Sequence, residues 1–100
     1  MSRVILDLNA ERFQRDLFAL QRDEGASVLM ALRKIAALEW EQLYKDHGLR
    51  WEAIQSQFSS DGQRLYSLRI TQKIRAIAYR SGNVLRFVSI HPDHDSAYRK

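Results

Sequence analysis

The segment "SIHPDHDSAY", Ser89 to Tyr98, gathers His91, Asp93, His94 and Asp95 around Pro92, the one proline of the chain. Imidazole with carboxylate would suit a transition metal. Against that reading, Pro92 keeps His91 and His94 off one regular helical turn. The third histidine, His47, lies far away in the chain, and the nearby arginines would repel a cation. No metal site is therefore expected. Acid–base work on a phosphodiester is the second reading. Cleaving RNA needs a group to take the 2′-hydroxyl proton, another to protonate the departing 5′-oxygen, and cations against the charge that builds on phosphorus. Histidine serves either proton role near neutral pH. Asp93 or Asp95 beside it would orient the ring and raise its pKa. Arginines supply fixed donors for phosphoryl oxygens, and Tyr98 could stack on an unpaired base. The third reading is a solvated tail with a proline turn. Only the surface that this segment faces can choose among them.

Charge points to that surface. Residues 1–62 hold eight Lys/Arg against ten Asp/Glu, whereas residues 63–100 hold eight against two. The balance moves from −2 to +6, which implies a polyanionic partner for whatever the C-terminal part builds. Twelve of the sixteen cations are arginine, whose planar fork suits phosphate. There is no cysteine, so disulfides and thiolate metal sites are excluded and a reducing compartment is favoured. No stretch reaches the roughly 20 apolar residues of a membrane helix, and the N-terminal apolar run is too short for a signal peptide. The expectation is a cytoplasmic protein of one domain, residues 1–100, with no membrane association. No glycine-rich phosphate loop, nucleophile elbow or Walker-type lysine is present, so no nucleotide cofactor is expected.

The elements that must position these groups follow from periodicity. "VILDL", Val4 to Leu8, reads as a strand. Asn9 then offers an N-cap for a helix carrying Phe13, Leu17 and Leu20 to about Asp23, with Gly25 as its end. A second helix is expected from Ala26 or Ser27 to His47–Gly48, about 30 Å long if unbroken. Leu49, Trp51 and Ile54 would pin a loop to the core, and "SQFSSDGQ" reads as a flexible connection. After it, the period becomes that of strands. "RLYSLRIT", "KIRAIAYR" and "VLRFVSIH" form a meander, with "SGN" as a hairpin turn. The result is an α+β fold of order βααβββ: an N-terminal strand, a two-helix hairpin on one sheet face, and a three-stranded antiparallel meander. Alternation in the last strand sets Val84, Arg86, Val88 and Ile90 opposite Leu85, Phe87, Ser89 and His91. Phe13, Phe18, Trp40 and Trp51 are assigned to the core. Some of Arg69, Arg75, Arg80 and Arg86 must stand on the face that the helices leave bare.

The stretch "GQRLYSLRITQKIRAIAYRSGNVLRFVSIHPDHDSAY", Gly62 to Tyr98, resembles the RelE/ParE superfamily of toxins from type II toxin–antitoxin systems. It carries an "L-x-x-x-R-I" strand, an arginine strand after a tight turn, and a final strand leading into histidine and an aromatic. The resemblance implies a metal-independent endoribonuclease that cuts mRNA, in many members on the ribosome, and a cognate antitoxin protein as partner. A neighbouring branch binds DNA gyrase and cleaves nothing. That branch usually lacks a histidine cluster, so "HPDHDSAY" favours the nuclease. Carried onto this sequence, the resemblance assigns Arg69 and Arg75 to the scissile phosphate. It makes His94 the acid or base, with His91 as rival, and Tyr98 the stacking group. Arg64, Arg80, Arg86 and Asp95 would extend the RNA-binding surface. The lysine pair that some members place ahead of the second strand is missing, with only Arg64 in "SSDGQR".

Overall fold

The computed structural model describes residues 2–92. Its elements are β1 (Ile5–Asp7), α1 (Glu11–Phe18), α2 (Arg22–Ala36), α3 (Trp40–Lys45), β2 (Glu52–Phe58), β3 (Arg64–Arg69), β4 (Arg75–Ser81) and β5 (Val84–His91). The class and the meander agree with the expected α+β layout, but one helix and one strand are added to βααβββ.

The helical half divides differently from its periodicity. Gly25 does not end a helix; it lies inside α2. A capping box at Gln21 starts that helix earlier, with the Gln21 amide donating to Glu24 Oε1 at 3.0 Å. One helical glycine costs only about 1 kcal/mol, less than the cap and the packing return. The long second helix is broken at residues 37–39. There the chain docks on the N-terminal strand: the Val4 amide donates to the Leu38 carbonyl and the Trp40 amide to the Ser2 carbonyl, each at 2.9 Å. A second capping box, Glu39 with Gln42, then opens α3. Lys34 on α2 meets Asp46 after α3 at 3.0 Å. Burial pushes the Asp46 carboxyl up. The Lys34 ammonium and the Leu49 and Gly48 amides outweigh it and hold the carboxyl below its ordinary value.

Residues 52–58, expected to be loop, form a fifth strand. Its alternation was hidden because its register with β3 shifts between Ala53 and Phe58, where Ser56 takes a positive φ of 61°. The sheet order is β1-β5-β4-β3-β2, all antiparallel except β1, which runs parallel to β5. Gly82 (φ 64°) and Asn83 make the two-residue turn between β4 and β5. At the β3–β4 turn, Thr71 Oγ1 accepts the Lys73 and Ile74 amides at 3.2 and 3.1 Å.

The main core lies between the helices and one sheet face. Phe13, Val28, Leu32, Ile35, Trp40 and Leu43 meet Leu68, Ile74, Ala76, Ala78, Leu85, Phe87 and Ile90 there. Phe13 and Phe87 rings sit 5.2 Å apart. The other face has a small cluster of its own: Ile54, Leu65 and Ile77, with Tyr79 and Val88. Phe13, Trp40 and Trp51 pack in or against the main core as expected, whereas Phe18 is 78% exposed.

Candidate active-site face

Strand register assembles the site. Arg69 pairs with Arg75, and Arg75 with His91. Residues directly opposite in a ladder share a face, so these three form one row across β3, β4 and β5. Adjacent strands lie about 4.8 Å apart, which makes the row about 10 Å wide. A second row, Ser67, Ile77 and Ser89, runs beside it. Both rows stand on the face that no helix covers.

His91 reaches this face through a bulge. Ile77 pairs with Ser89 and Ala78 with Phe87, leaving Val88 as an extra residue on β5. Without it, strict alternation would put His91 on the same side as Leu85 and Phe87, inside the main core. With it, Ile90 turns to the core while Ser89 and His91 join Arg86 on the open face. This corrects the expected division of β5: Arg86 is on the side of His91, and Ile90 is opposite.

The row is held by hydroxyls and by α1. Arg75 is only 5% exposed, and its Nη1 donates to the Ser67 Oγ at 3.1 Å. Ser89 Oγ lies 2.9 Å from His91 Nε2. Asp16 accepts the Ile90 amide at 3.0 Å, so α1 seals the part of the β5 edge beyond β1. Asp16 also pairs with Arg12 at 3.5 Å. Burial lowers the His91 pKa below 6.5 and the Arg12 guanidinium lowers it further, while Asp16 opposes both. A half-buried imidazole held neutral in this way is suited to accept a proton rather than to donate one. Arg69, half-buried at the strand end, has its backbone pinned by a 2.6 Å bond to the Leu49 carbonyl.

The remaining candidates separate. Arg86 is on the open face, but Asp7 holds it at 2.7 Å. Beside this pair is a cleft of about 500 Å³ that also takes in Asn9, Phe58, Leu65 and Tyr79. Arg64 and Arg80 do not join Arg69 and Arg75. They share strand parity with Tyr66 and Ala78, which places them on the helix-covered side. Asp93, His94, Asp95 and Tyr98 lie outside the described residues. Arg12, Asp16, Ser67 and Ser89 were not anticipated. The Arg12–Asp16 spacing is visible as an i,i+4 helix pair, but nothing local says that it reaches β5. Among the described residues, no group of three or more His, Asp or Glu is placed to hold a metal ion.

No protein-family model matches the sequence, and no curated protein does either. Similar solved structures include a chain of the archaeal RelE–RelB complex from Pyrococcus horikoshii, at TM-score 0.57 and 18% identity, covering 91% of this chain and 93% of that one. A copper-bound mutant toxin from Helicobacter pylori is similar at TM-score 0.50 and 16% identity, covering 98% and 100%. The chain therefore has a RelE-like fold. No helix in the described residues is long and apolar enough to cross a membrane.

Proposed function

We propose that this protein is the toxin of a type II toxin–antitoxin pair, a metal-independent endoribonuclease that cuts mRNA, free or on the ribosome, in the cytoplasm. The observation that carries the reading is the Arg69–Arg75–His91 row on the uncovered sheet face. Arg69 meets the scissile phosphate, and Arg75 adds a fixed positive charge from beneath. An imidazole, His94 or its rival His91, takes the 2′-hydroxyl proton. The 2′-oxygen attacks phosphorus, the bond to the 5′-oxygen breaks, and that oxygen is protonated. The products are a 2′,3′-cyclic phosphate and a 5′-hydroxyl. Asp95 or Asp93 tunes the imidazole, and Tyr98 stacks a base. No cofactor takes part. A cognate antitoxin, the counterpart of the partner named in the RelE–RelB complex, covers the basic surface.

The burial of Arg75 favours a second reading, in which that guanidinium is structural and the face docks gyrase or nucleic acid without chemistry. Induced expression of the wild type, Arg69→Ala and His94→Ala, with mapping of RNA 5′ ends, separates the two. The nuclease produces new 5′-hydroxyl ends that vanish in both variants. Growth arrest without new ends supports the docking reading, and full cutting by both variants ends the site assignment.

A further inference from the structure

Arg64 and Arg80, excluded from the open face, both line a different cleft. It has a volume of about 410 Å³ and is bounded by Tyr44 of α3, Trp51, Tyr66 of β3, Gln63, Arg64 and Arg80. Trp51 and Tyr66 are stacked, with centroids 4.2 Å apart and planes 13° from parallel. Tyr44 leans on Trp51 at 5.8 Å and on Trp40 at 5.7 Å. The Arg80 guanidinium lies 4.2 Å over the Trp40 ring, with Nη1 donating to the Tyr44 hydroxyl at 2.8 Å and Nε to the Gly82 carbonyl at 2.7 Å. The Arg64 guanidinium sits 5.0 Å over Phe58.

Most aromatic groups of this kind are simply core, and Trp40, at 2% exposure, is. Tyr44 is not, with 48% of its surface exposed, and Trp51 and Tyr66 are half-buried. No carboxylate is among the residues that line the cleft. Flat rings, two guanidiniums and an amide are the groups that hold an unpaired nucleotide: a base stacks, a phosphate meets the guanidinium N–H groups not already bonded within the protein, and the amide meets a base edge. The volume is within the range of small-ligand sites. An acidic peptide would use the arginines but not the exposed ring of Tyr44.

We propose that this cleft is a second single-stranded RNA subsite, on the opposite side of the sheet from the Arg69–Arg75–His91 row. One nucleotide stacks against Tyr44 and the Trp51–Tyr66 pair, with its phosphate between Arg64 and Arg80. The choice of RNA as ligand rests on the proposed function of the open face; the geometry of the cleft does not.

Both tryptophans of the chain lie at or directly behind this cleft, so tryptophan fluorescence reports on it selectively. The test is a titration of the full chain with a 2′-O-methyl octanucleotide, which cannot be cut by 2′-hydroxyl attack. Saturable quenching is expected. Tyr44→Ala should weaken it about 10- to 100-fold, and Arg64→Glu, at an exposed position, should weaken it and flatten its salt dependence by about one phosphate. Arg22→Ala, exposed at the start of α2 and outside the lining of the cleft, should leave it unchanged. Absence of quenching, or quenching indifferent to both Tyr44→Ala and Arg64→Glu, overturns the subsite. So does quenching by polyglutamate but not by the oligonucleotide, which would make the cleft a protein-docking site. Because no cutting is involved, failure here leaves the 5′-end mapping of the open face intact, and failure there leaves this titration readable.

Discussion

On the uncovered face Arg75 lies nearly sealed, with the Ser67 hydroxyl as a partner and Arg69 and His91 on either side. On the helix-covered face Arg80, half-buried, is spread over Trp40 and tied to Tyr44. Both arginines belong to β4, five residues apart, so strand alternation sets them on opposite faces without saying which face the helices leave bare. Odd and even positions of one strand are delivered to opposite environments: a polar row on one side, an aromatic wall on the other. The basic C-terminal half is therefore not one patch but two, separated by the thickness of the sheet.

The largest effect should come from removing the device that makes the open face what it is. Deleting Val88 restores strict alternation and drives Ser89 and His91 toward the main core. A loss of about 3 kcal/mol or more in urea unfolding is expected, along with loss of cutting. A deletion that folds normally and cuts normally would mean that the bulge does not aim His91.

Arg69→Ala should lower cleavage by about 100- to 1,000-fold with little change in melting temperature, the expected size for losing one preorganised charge. Arg69→Lys should recover only part, because the fork is lost while the charge stays. Equal activity of all three would move the phosphate elsewhere.

Arg75 and Arg80 can then be compared directly. Arg75→Ala removes a buried hydrogen bond to the Ser67 hydroxyl and empties a buried position, and should cost about 1–3 kcal/mol of stability, so its activity has to be read at a temperature where it remains folded. Arg80→Ala loses a partly exposed cation–π contact and should cost about 1 kcal/mol. A reversed order, measured by chemical denaturation, would contradict the burial described for the two faces.

The smallest effect is in the pH profile. If His91 is the base, the acid limb of cutting has its midpoint below 6.5, because burial and Arg12 hold the ring neutral. The folded state binds that proton less readily than the unfolded chain. Stability is therefore fully present above 6.5 and declines as pH falls from there through the lowered folded pKa. Arg12→Ala should move the limb upward and Asp16→Asn downward, with kcat at neutral pH barely changed. A limb indifferent to both assigns the proton to His94.

Strand periods, the "SGN" turn and the charge asymmetry were legible because each is a local matter: a side chain's alternation or a glycine's tolerance of positive φ needs no distant partner. The three meander strands accordingly appear where their patterns place them. What failed were the places where a distant contact overrides local preference. Residues 37–39 would continue a helix on periodicity alone, and leave it because Val4 and Ser2 hydrogen-bond there. Residues 52–58 look like a polar loop and become a strand because β3 offers its open edge.

By itself, then, the sequence determined that an α+β chain would present arginines and histidines from its last strands. Only the tertiary structure decided which of them share a side. That decision rests on the register of β3, β4 and β5 and on the single extra residue Val88. Side-chain parity in a sheet is a two-valued quantity, so one inserted residue reverses it for everything beyond, and no local preference records the reversal.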